Sequence, residues 1–429
     1  MVRSLVLTLS LSVACAQGQG LPAPDFDDDD DTQEGGGGQG AAGQGGAGQG
    51  GQGGATSSAS TASGANTSSN SNSTSSASAS SSNSSSATTA ATSTTTSTGG
   101  GADYGTVLMM SGGGTATVAS VFPVGSNQSW ASPFLVQTWD PTALVVTPAS
   151  TAYGLMRADG DGSVFFVSWA GGTMWSADPT LLPGGPASSR PHAAADGEEV
   201  HVVFRGPSGE VIDTVLENGS ILSTELIGAV TSGPPAVLVG STGPVVVFIG
   251  DDGVARTRLK QSSGWVDGPA LASDPLASRT PAIARDADGS FLAAFVRASD
   301  QAIVVAVLQG SAWSQPQVIP SAFTADDPQL AIGTSMGALA FRGLDHFGYV
   351  AQRSVDGAFQ AVEPILTANP QLACAPSVAA GASGADLELV FVDTLALAHW
   401  TRFDAGSFGP PQFVGAAGPP SCVTVAVAP

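Results

Sequence analysis

The sequence predicts an all-β fold: a seven-bladed β-propeller that the C-terminal strand closes, preceded by a disordered tether. Three observations predict it. A strand–turn–strand phrase recurs every 44 to 48 residues after Pro191. The stretches between its copies contain no run of apolar residues at helical spacing. Residues 16–103 contain almost no large apolar side chain and so cannot belong to the same core.

The first fifteen residues are typical of an export signal. Arg3 precedes an apolar run from Leu5 to Val13, and small residues stand before Cys15. The stretch SVAC at 12–15 resembles a bacterial lipobox. This resemblance implies that Cys15 is lipidated and anchors the protein in the cell envelope, at the outer membrane. Alternatively, a cut after Ala16 would discard Cys15 and release a soluble secreted protein.

Residues 16–103 predict a disordered linker. The stretch DFDDDDD at 25–31 is followed by Gly/Gln-rich and then Ser/Thr-rich sequence. Such a segment buries too little apolar surface to offset the entropy of ordering its backbone. Its mean reach is about 50 Å, which suits a tether between a lipid anchor and a folded domain.

Residues 104–429 differ in composition and predict the folded domain. Short runs of Val, Ala, Leu, Phe and Trp alternate with Gly, Pro, Asp and Ser, and no run is long enough to span a membrane. Of the charged residues, 12 Lys and Arg and 27 Asp and Glu fall here, so the net charge is 12 − 27 = −15. Because this charge repels phosphate backbones, nucleic acid is not expected as a partner.

The repeat aligns on a proline that opens an apolar strand, with a phenylalanine 13 to 15 residues later. The aligned residues are Pro191, Pro235, Pro281, Pro328, Pro376 and Pro420, followed by Phe204, Phe248, Phe295, Phe341 and Phe391 in the five full copies. In the clearest copies a tryptophan, such as Trp265 or Trp313, then opens a last strand. A period of this length with four short strands predicts a propeller blade, because helical solenoids need long stretches at 3.6 spacing.

The two ends of the domain are predicted to share one blade. The stretches at 106–110 and 115–122 align with second and third strands, so their blade lacks a first strand. The stretch VTVAVA at 423–428 is a lone first strand. The C-terminus should therefore complete the first blade and close the ring at seven. The next blade is predicted to begin near Gly154 and to lack a full outer strand.

Cys374 and Cys422 are the two cysteines of the folded domain. An even number in an exported protein favours a disulfide. Cys374 precedes Pro376 by two residues and Cys422 follows Pro420 by two, so both should lie at the starts of innermost strands in adjacent blades. We predict a disulfide between them. The alternative is a pair of buried free thiols.

The blade phrase resembles that of the seven-bladed lectins of the Photorhabdus lectin type. The matching stretches are AFVRASDQAIVVAVLQGSAW at 294–313, LAFRGLDHFGYVAQRSVDGAF at 339–359 and VVFRGPSGEVIDTVL at 202–216. The turns at 354–359 and 404–408 also resemble the Asp-box turns of sialidase-like propellers. The first resemblance implies a glycan held against aromatic rings. Sialidase chemistry is not expected, because the chain has three tyrosines and no matching arginine motif.

The loops between second and third strands are expected to form the binding face. The candidate ligand-binding residues on these loops and the strands beside them are Arg205, Arg297, Asp300, Arg342, Asp345, His346, Tyr349 and Trp400. They would offer hydrogen bonds to a polyol or to a partner's loop, and Tyr349 and Trp400 would stack on a sugar. Alternatively, arginines that recur at one blade position bond carbonyls or carboxylates of the neighbouring blade.

No catalytic residue, metal or cofactor is predicted. The Asp-Gly stretches at 159–163 and 286–290 are explained by hairpin turn geometry as well as by calcium binding.

We expect an exported, lipid-anchored, monomeric surface propeller that is a non-catalytic binding module for a glycan or a protein. The alternatives are a structural envelope lipoprotein without a small ligand and a degenerate sialidase-like glycoside hydrolase.

Overall fold

The computed structural model describes residues 106–111, 115–122, 127–131, 139–169, 175–354, 356–365, 370–404, 407–416 and 422–428. The predicted signal segment and linker, residues 1–15 and 16–103, lie outside the described residues. Every regular element in the described part of the chain is a β-strand. The predicted all-β class is therefore confirmed. The described residues contain no apolar helix of membrane-spanning length.

The described strands form seven sheets, numbered here in chain order. Sheet 1 contains β1 (Thr106–Ser111), β2 (Thr115–Phe122), β3 (Asn127–Ala131) and, from the other end of the chain, β30 (Val423–Ala428). Sheet 2 contains β4 (Trp139–Val146), β5 (Ala152–Ala158), β6 (Val164–Trp169) and β7 (Thr180–Leu181). Sheet 3 contains β8 (His192–Asp196), β9 (Glu199–Arg205), β10 (Glu210–Glu217) and β11 (Ser220–Val230).

The other four sheets repeat this antiparallel order, and two of them have a split outer strand. Sheet 4 contains β12 (Ala236–Gly240), β13 (Gly243–Ile249), β14 (Ala255–Gln261) and β15 (Gly264–Asp267). Sheet 5 contains β16 (Ala282–Arg285), β17 (Phe291–Val296), β18 (Ala302–Gln309), β19 (Ala312–Trp313) and β20 (Gln317–Phe323). Sheet 6 contains β21 (Gln329–Ile332), β22 (Gly337–Arg342), β23 (Gly348–Arg353) and β24 (Phe359–Pro364). Sheet 7 contains β25 (Ser377–Ala380), β26 (Leu387–Val392), β27 (Leu397–Asp404), β28 (Ser407–Phe408) and β29 (Gln412–Ala416).

The innermost strands of the sheets neighbour one another in a closed cycle. The order is β30, β4, β8, β12, β16, β21 and β25, and β25 in turn lies beside β30. One buried apolar cluster lies between each neighbouring pair of sheets in this cycle. This arrangement, four-stranded sheets packed face to face around a central axis, is a β-propeller.

The repeated phenylalanines are the centres of these clusters. Phe204, Phe295, Phe341 and Phe391 are at most 2% exposed. Each lies on the second strand of its sheet. Burying such a side chain contributes about 1.5 to 3 kcal/mol, so the phenylalanine spacing reports inter-sheet packing.

The predicted pairing of the two ends of the domain is confirmed. β30 pairs antiparallel with β1 from Thr106 opposite Ala428 to Ser111 opposite Val423. In sheet 1 the C-terminal strand is therefore innermost, and β1 to β3 supply the second to fourth strands.

The predicted start of sheet 2 is wrong by one strand. The innermost strand is β4, and the segment containing Gly154 is the second strand, β5. The error arose because the Asp-Gly turn after Ala158 resembles the turn that follows an innermost strand in sheet 5. The outer strand β7 has only two residues, in agreement with the prediction that this sheet lacks a full outer strand.

Candidate functional site

Two of the candidate arginines tie one sheet to the connection that leads to the next. The Arg205 Nε donates to the Thr231 carbonyl over 2.7 Å. The Arg342 Nη1 donates to the Ala373 carbonyl over 2.7 Å. Both arginines end a second strand, and both acceptors lie in the segment before the next innermost strand. These bonds to the connecting segments are close to the structural role that we gave as the alternative for the recurring arginines.

A third arginine at this position behaves in the same way, and a fourth differs. Arg157, which was not among the candidates, donates through Nε to the Ala187 carbonyl over 3.1 Å. Arg297 instead pairs with Asp300 in its own hairpin, where Nε and Oδ1 are 2.8 Å apart. Its Nη1 lies 3.7 Å from a carboxylate oxygen of Asp274 in the preceding connection. The hydrogen bonds from Arg297 lower the pKa of Asp300 to about 2.

The candidate aspartates shape the hairpin turns on which they lie. The Asp300 Oδ1 accepts from the Ala302 N–H at 3.1 Å. The Asp345 Oδ1 accepts from the Phe347 N–H at 3.1 Å. Aspartate is common in such turns because its carboxylate can bond the backbone two residues later. Their recurrence in the repeat is thus explained by turn formation.

Sheet 6 brings four of the eight candidates together in one hairpin. Tyr349 donates its hydroxyl to the Asp345 Oδ2 over 2.6 Å, and Arg342 donates to the His346 Nδ1. The bond to Asp345 raises the pKa of Tyr349. Partial burial acts to raise the pKa of Asp345. The hydrogen bonds from Tyr349 and Phe347 act in the opposite direction, and the pKa lies below its ordinary value. The hairpin is thus a network in which these four side chains bond one another in two pairs.

The predicted sugar-stacking role of Trp400 is not compatible with its position. Its side chain is only 5% exposed and packs against Val423 and Val425 between sheets 7 and 1. Its indole N–H donates to the Glu388 Oε2 over 2.7 Å. Trp400 faces sheet 1 because side chains alternate along β27, and the adjacent His399 takes the face that stacks on Phe391.

Exposed aromatic side chains are few in the described part of the chain, and they do not form a pair. Phe413 is 61% exposed and Phe323 is 40% exposed. Phe413 lies on sheet 7 and Phe323 on sheet 5. Phe413 meets the ring of His399 edge-on at 6.3 Å. A sugar platform built from two neighbouring rings is therefore absent among the described side chains.

A cavity of about 520 Å³ opens where the innermost strands begin. We call it the channel mouth. Innermost strands or the segments just before them, from six of the seven sheets, line it. Its charged and thiol-bearing residues are Arg190, Arg279, Asp326, Asp327, Arg342, Cys374 and Cys422. Of these, only Arg342, Cys374 and Cys422 were singled out from the sequence. The others stand one or two residues before the aligned prolines, and this position was the signal that could have identified them.

The polar groups of the channel mouth differ in how far they are already occupied. Asp327 accepts from the Thr280 N–H at 3.0 Å and from its hydroxyl at 2.7 Å. Asp326 is 3.4 Å from the Arg342 Nε. Arg279 is exposed, and among the described residues no carboxylate lies within ion-pair distance of it. The described lining therefore carries three guanidinium groups against two carboxylates.

A histidine that also lines the mouth, His192, adds no charge at neutral pH. Burial lowers the pKa of His192 to about 4. Its Nδ1 lies 3.3 Å from the Val237 N–H, which donates to it. The neutral ring therefore serves to join sheets 3 and 4, and the charge of the mouth comes from its arginines and aspartates.

The predicted disulfide is not present in the structure. Cys374 and Cys422 line the channel mouth as two separate thiols. A hydrogen bond with Cys422, together with burial, raises the pKa of Cys374. The Arg190 Nη2 lies 3.4 Å from the Cys422 Sγ. The prediction that the two cysteines lie next to each other at the ring closure is correct.

The Asp-Gly turns are explained by their own hydrogen bonds. The Asp161 Oδ1 accepts from the Ser163 N–H at 2.9 Å. The Asp288 Oδ1 accepts from the N–H and the hydroxyl of Ser290 at 2.8 and 2.6 Å. Within the described residues, His, Cys, Asp and Glu form no group of three that could hold a metal ion.

Solved structures with the same architecture were found, whereas no protein-family model and no curated protein matches the chain. The BP39L lectin from Burkholderia pseudomallei is 16% identical, with a TM-score of 0.55 over 73% of this chain and 99% of that one. AofleA from Arthrobotrys oligospora is 16% identical, with a TM-score of 0.50 over 68% of this chain and 91% of that one. At these identities the likeness establishes a β-propeller fold and nothing finer.

A third solved structure matches less closely. The fucose-recognising lectin from Aleuria aurantia, a six-bladed β-propeller, is 13% identical with a TM-score of 0.48 over 66% of this chain and 97% of that one. The described strands of this chain form seven sheets, and the count of seven blades stays a prediction. The comparisons also give no support to the predicted Photorhabdus-lectin or sialidase family.

Proposed function

We propose that this protein is a non-catalytic, lectin-type β-propeller that binds a glycan at the channel mouth. In this proposal the seven sheets are the seven blades of one ring. The observation that carries it is the cavity of about 520 Å³, a volume typical of small-ligand sites, in which guanidinium, carboxylate and hydroxyl groups from several sheets converge. A sugar needs such a mixture because each of its hydroxyls both donates and accepts hydrogen bonds.

The channel mouth is a better glycan site than the hairpins. The hairpin groups are engaged with one another: Arg297 with Asp300, and Asp345 with Tyr349. By contrast, Arg279 is exposed at the mouth. Groups already satisfied within the protein gain little by binding a ligand, because each new hydrogen bond replaces an existing one. The name of the BP39L lectin supports a glycan ligand by analogy of fold alone.

A binding experiment with a matched control tests this proposal. We expect glycan-array and calorimetric titrations to detect binding by the full chain, and Arg279→Gln to weaken it about tenfold, as for loss of a charge-assisted hydrogen bond. The control is Arg285→Gln, at the opposite end of β16 from Arg279. Silence of the wild-type protein across the array refutes the function. Binding that Arg279→Gln leaves unchanged refutes the placement of the site.

A protein ligand is the second candidate, favoured by two exposed leucines. Leu344 is 51% exposed and Leu395 is 76% exposed. They occupy corresponding hairpins, between the second and third strands of the adjacent sheets 6 and 7. Exposed apolar side chains at loop tips suit the loop of a protein partner more than a sugar. A silent glycan array together with a purified partner whose binding Leu344→Ser and Leu395→Ser abolish would favour this candidate.

We further propose that the domain is exported and held at the outer membrane by a lipid on Cys15. Support comes from the N-terminal sequence alone: an apolar run followed by SVAC and a long polar linker. Metabolic labelling with a radioactive fatty acid in a bacterial host tests it. Label that persists in Cys15→Ser, or its absence from the wild-type chain, refutes lipidation at this cysteine and leaves the soluble secreted form.

A further inference from the structure

Two thiols and a guanidinium lie together at the channel mouth. The Arg190 Nη2 is 3.4 Å from the Cys422 Sγ, and Cys374 and Cys422 are each partly exposed to the cavity. A small reagent in the cavity can therefore reach both sulfur atoms.

Backbone geometry places the two cysteines at equivalent positions of adjacent strands. The Val425 N–H donates to the Ser377 Oγ over 3.2 Å. Ser377 follows Cys374 by three residues, and Val425 follows Cys422 by three. The innermost strands β25 and β30 thus lie side by side, and the bond joins equivalent positions of the two. Each cysteine stands just before its strand, so both thiols lie at the same end of this neighbouring pair.

The two thiols have different surroundings. A guanidinium beside a sulfur atom favours the thiolate, which is the reactive form of cysteine. Arg190 supplies that charge directly to Cys422. Cys374 is held as the thiol, since its hydrogen bond to Cys422 and its burial raise its pKa.

We propose that Cys422, Cys374 and Arg190 form an oxidation site, in which Cys422 attacks a small-molecule disulfide and Cys374 completes an internal disulfide. First, the Cys422 thiolate attacks one sulfur of the oxidant R–S–S–R, and R–S⁻ leaves. The Cys374 thiol then loses its proton to R–S⁻, and its sulfur attacks the Cys422 sulfur and expels the second R–S⁻. This second thiolate takes up the proton that Cys422 released. Two protein thiols are oxidised, and one disulfide is reduced to two R–SH molecules.

The internal disulfide would join the last strand of the chain to the neighbouring sheet. β30 is the strand that completes sheet 1, and Cys422 is the residue before it. Oxidation would therefore link sheet 7 covalently to the strand that closes the cycle. Because both sulfur atoms line the channel mouth, the same reaction would change the surface of the cavity.

The test follows the reaction of the full chain with oxidised glutathione, in a Cys15→Ser background that removes the third thiol. Samples are quenched with N-ethylmaleimide and analysed by mass spectrometry. We expect loss of two hydrogen atoms and a cross-linked peptide that contains Cys374 and Cys422. Cys374→Ser should instead accumulate a glutathione adduct on Cys422. Cys422→Ser should form its adduct on Cys374 about tenfold more slowly, because burial favours the Cys374 thiol and the direct contact of Arg190 is with Cys422.

The role of Arg190 is tested by Arg190→Gln. Loss of the charge should make the thiolate form of Cys422 less favourable. The thiolate fraction then falls about tenfold while the nucleophilicity of each thiolate rises about threefold, so the rate should fall about threefold. Arg285→Gln, outside the mouth, should leave the rate unchanged. The proposal is overturned if no internal disulfide forms in the native protein, if the two single-cysteine variants react equally fast, or if Arg190→Gln reacts as wild type. As a control, all variants should react with oxidised glutathione at equal rates in denaturant, which would show that the differences in rate depend on the fold.

Discussion

The closing strand offers the sharpest test of the fold, and Val425→Ala is the perturbation. Val425 is 6% exposed and packs with Trp400 between sheets 7 and 1. Its neighbour Thr424 is half-buried and lies on the other face of the strand, because side chains alternate along it. The two side chains therefore have different surroundings although they lie on the same strand. Val425→Ala and Thr424→Ala therefore form a matched pair in which only the first removes packed apolar volume.

The expected magnitude follows from the burial. Val425→Ala removes two buried carbon atoms, at about 0.8 kcal/mol each, and leaves a small cavity, so it should lower the free energy of unfolding by about 2 kcal/mol. Thr424→Ala should change it by less than about 0.5 kcal/mol. Deletion of 423–428 removes Val423, Val425 and Ala426 from two apolar clusters and unpairs β1. Its cost should approach the whole stability of a typical domain, about 5 to 15 kcal/mol.

Urea unfolding followed by tryptophan fluorescence and circular dichroism measures these differences. With a slope of about 3 kcal/mol per molar urea, Val425→Ala should lower the midpoint by about 0.7 M. The deletion variant should lose its cooperative transition or unfold without denaturant. Equal midpoints for Val425→Ala and Thr424→Ala, or an unchanged transition after the deletion, would refute closure by the C-terminal strand.

Three further predictions concern the buried residues. Phe341→Ala should destabilise the protein by about 3 to 5 kcal/mol in urea unfolding, whereas Phe323→Ala, at an exposed site, should cost less than about 0.5 kcal/mol; similar costs would contradict the assigned core. Trp400→Phe should leave glycan affinity unchanged in calorimetry and should lower stability, because the Trp400 side chain is buried and its indole N–H donates to Glu388. A loss of glycan affinity without a loss of stability would instead support the stacking role. Burial raises the pKa of Glu388 despite the opposing bonds from Arg402. Above the ordinary carboxyl pKa, the folded protein therefore holds this proton more tightly than the unfolded chain. The unfolding free energy contributed by Glu388 should fall as the pH rises through its folded pKa, and Glu388→Gln should remove that part of the slope; an unchanged slope contradicts it.

Strand positions were predictable from the sequence because inter-sheet packing repeats. The proline before an innermost strand and the phenylalanine on the next strand are buried in each of sheets 3 to 7. The C-terminal strand was predictable for a similar reason, since among the N-terminal strands of sheet 1 none pairs with the inner edge of β1. Sheet 2 departs from the repeat by its short outer strand, so the only guide there was the Asp-Gly turn, and such a turn suits more than one hairpin of a blade.

The site was less predictable because a strand has two faces. His399 and Trp400 are neighbours on β27, yet His399 stacks on Phe391 while Trp400 faces sheet 1. A shift of one residue in register exchanges these faces, and the aromatic composition of the strand does not report it. The hairpin arginines were conspicuous because they recur. Recurrence, however, indicated the bond to the next connection that Arg205 and Arg342 make.

Repeated and unrepeated positions therefore have different physical roles in this ring. A residue that occurs at the same place in several sheets, such as Arg205, meets the same neighbours each time, and its bond belongs to the scaffold. The positions just before the innermost strands hold arginine in sheet 3, aspartate in sheet 6 and cysteine in sheet 7. Packing between sheets does not constrain these side chains, because they face the central cavity. Side chains that serve a ligand or a redox reaction can therefore occupy these positions at little cost in stability. Substitutions at the mouth should alter binding or thiol reactivity. Substitutions at Arg205 should instead alter the free energy of unfolding.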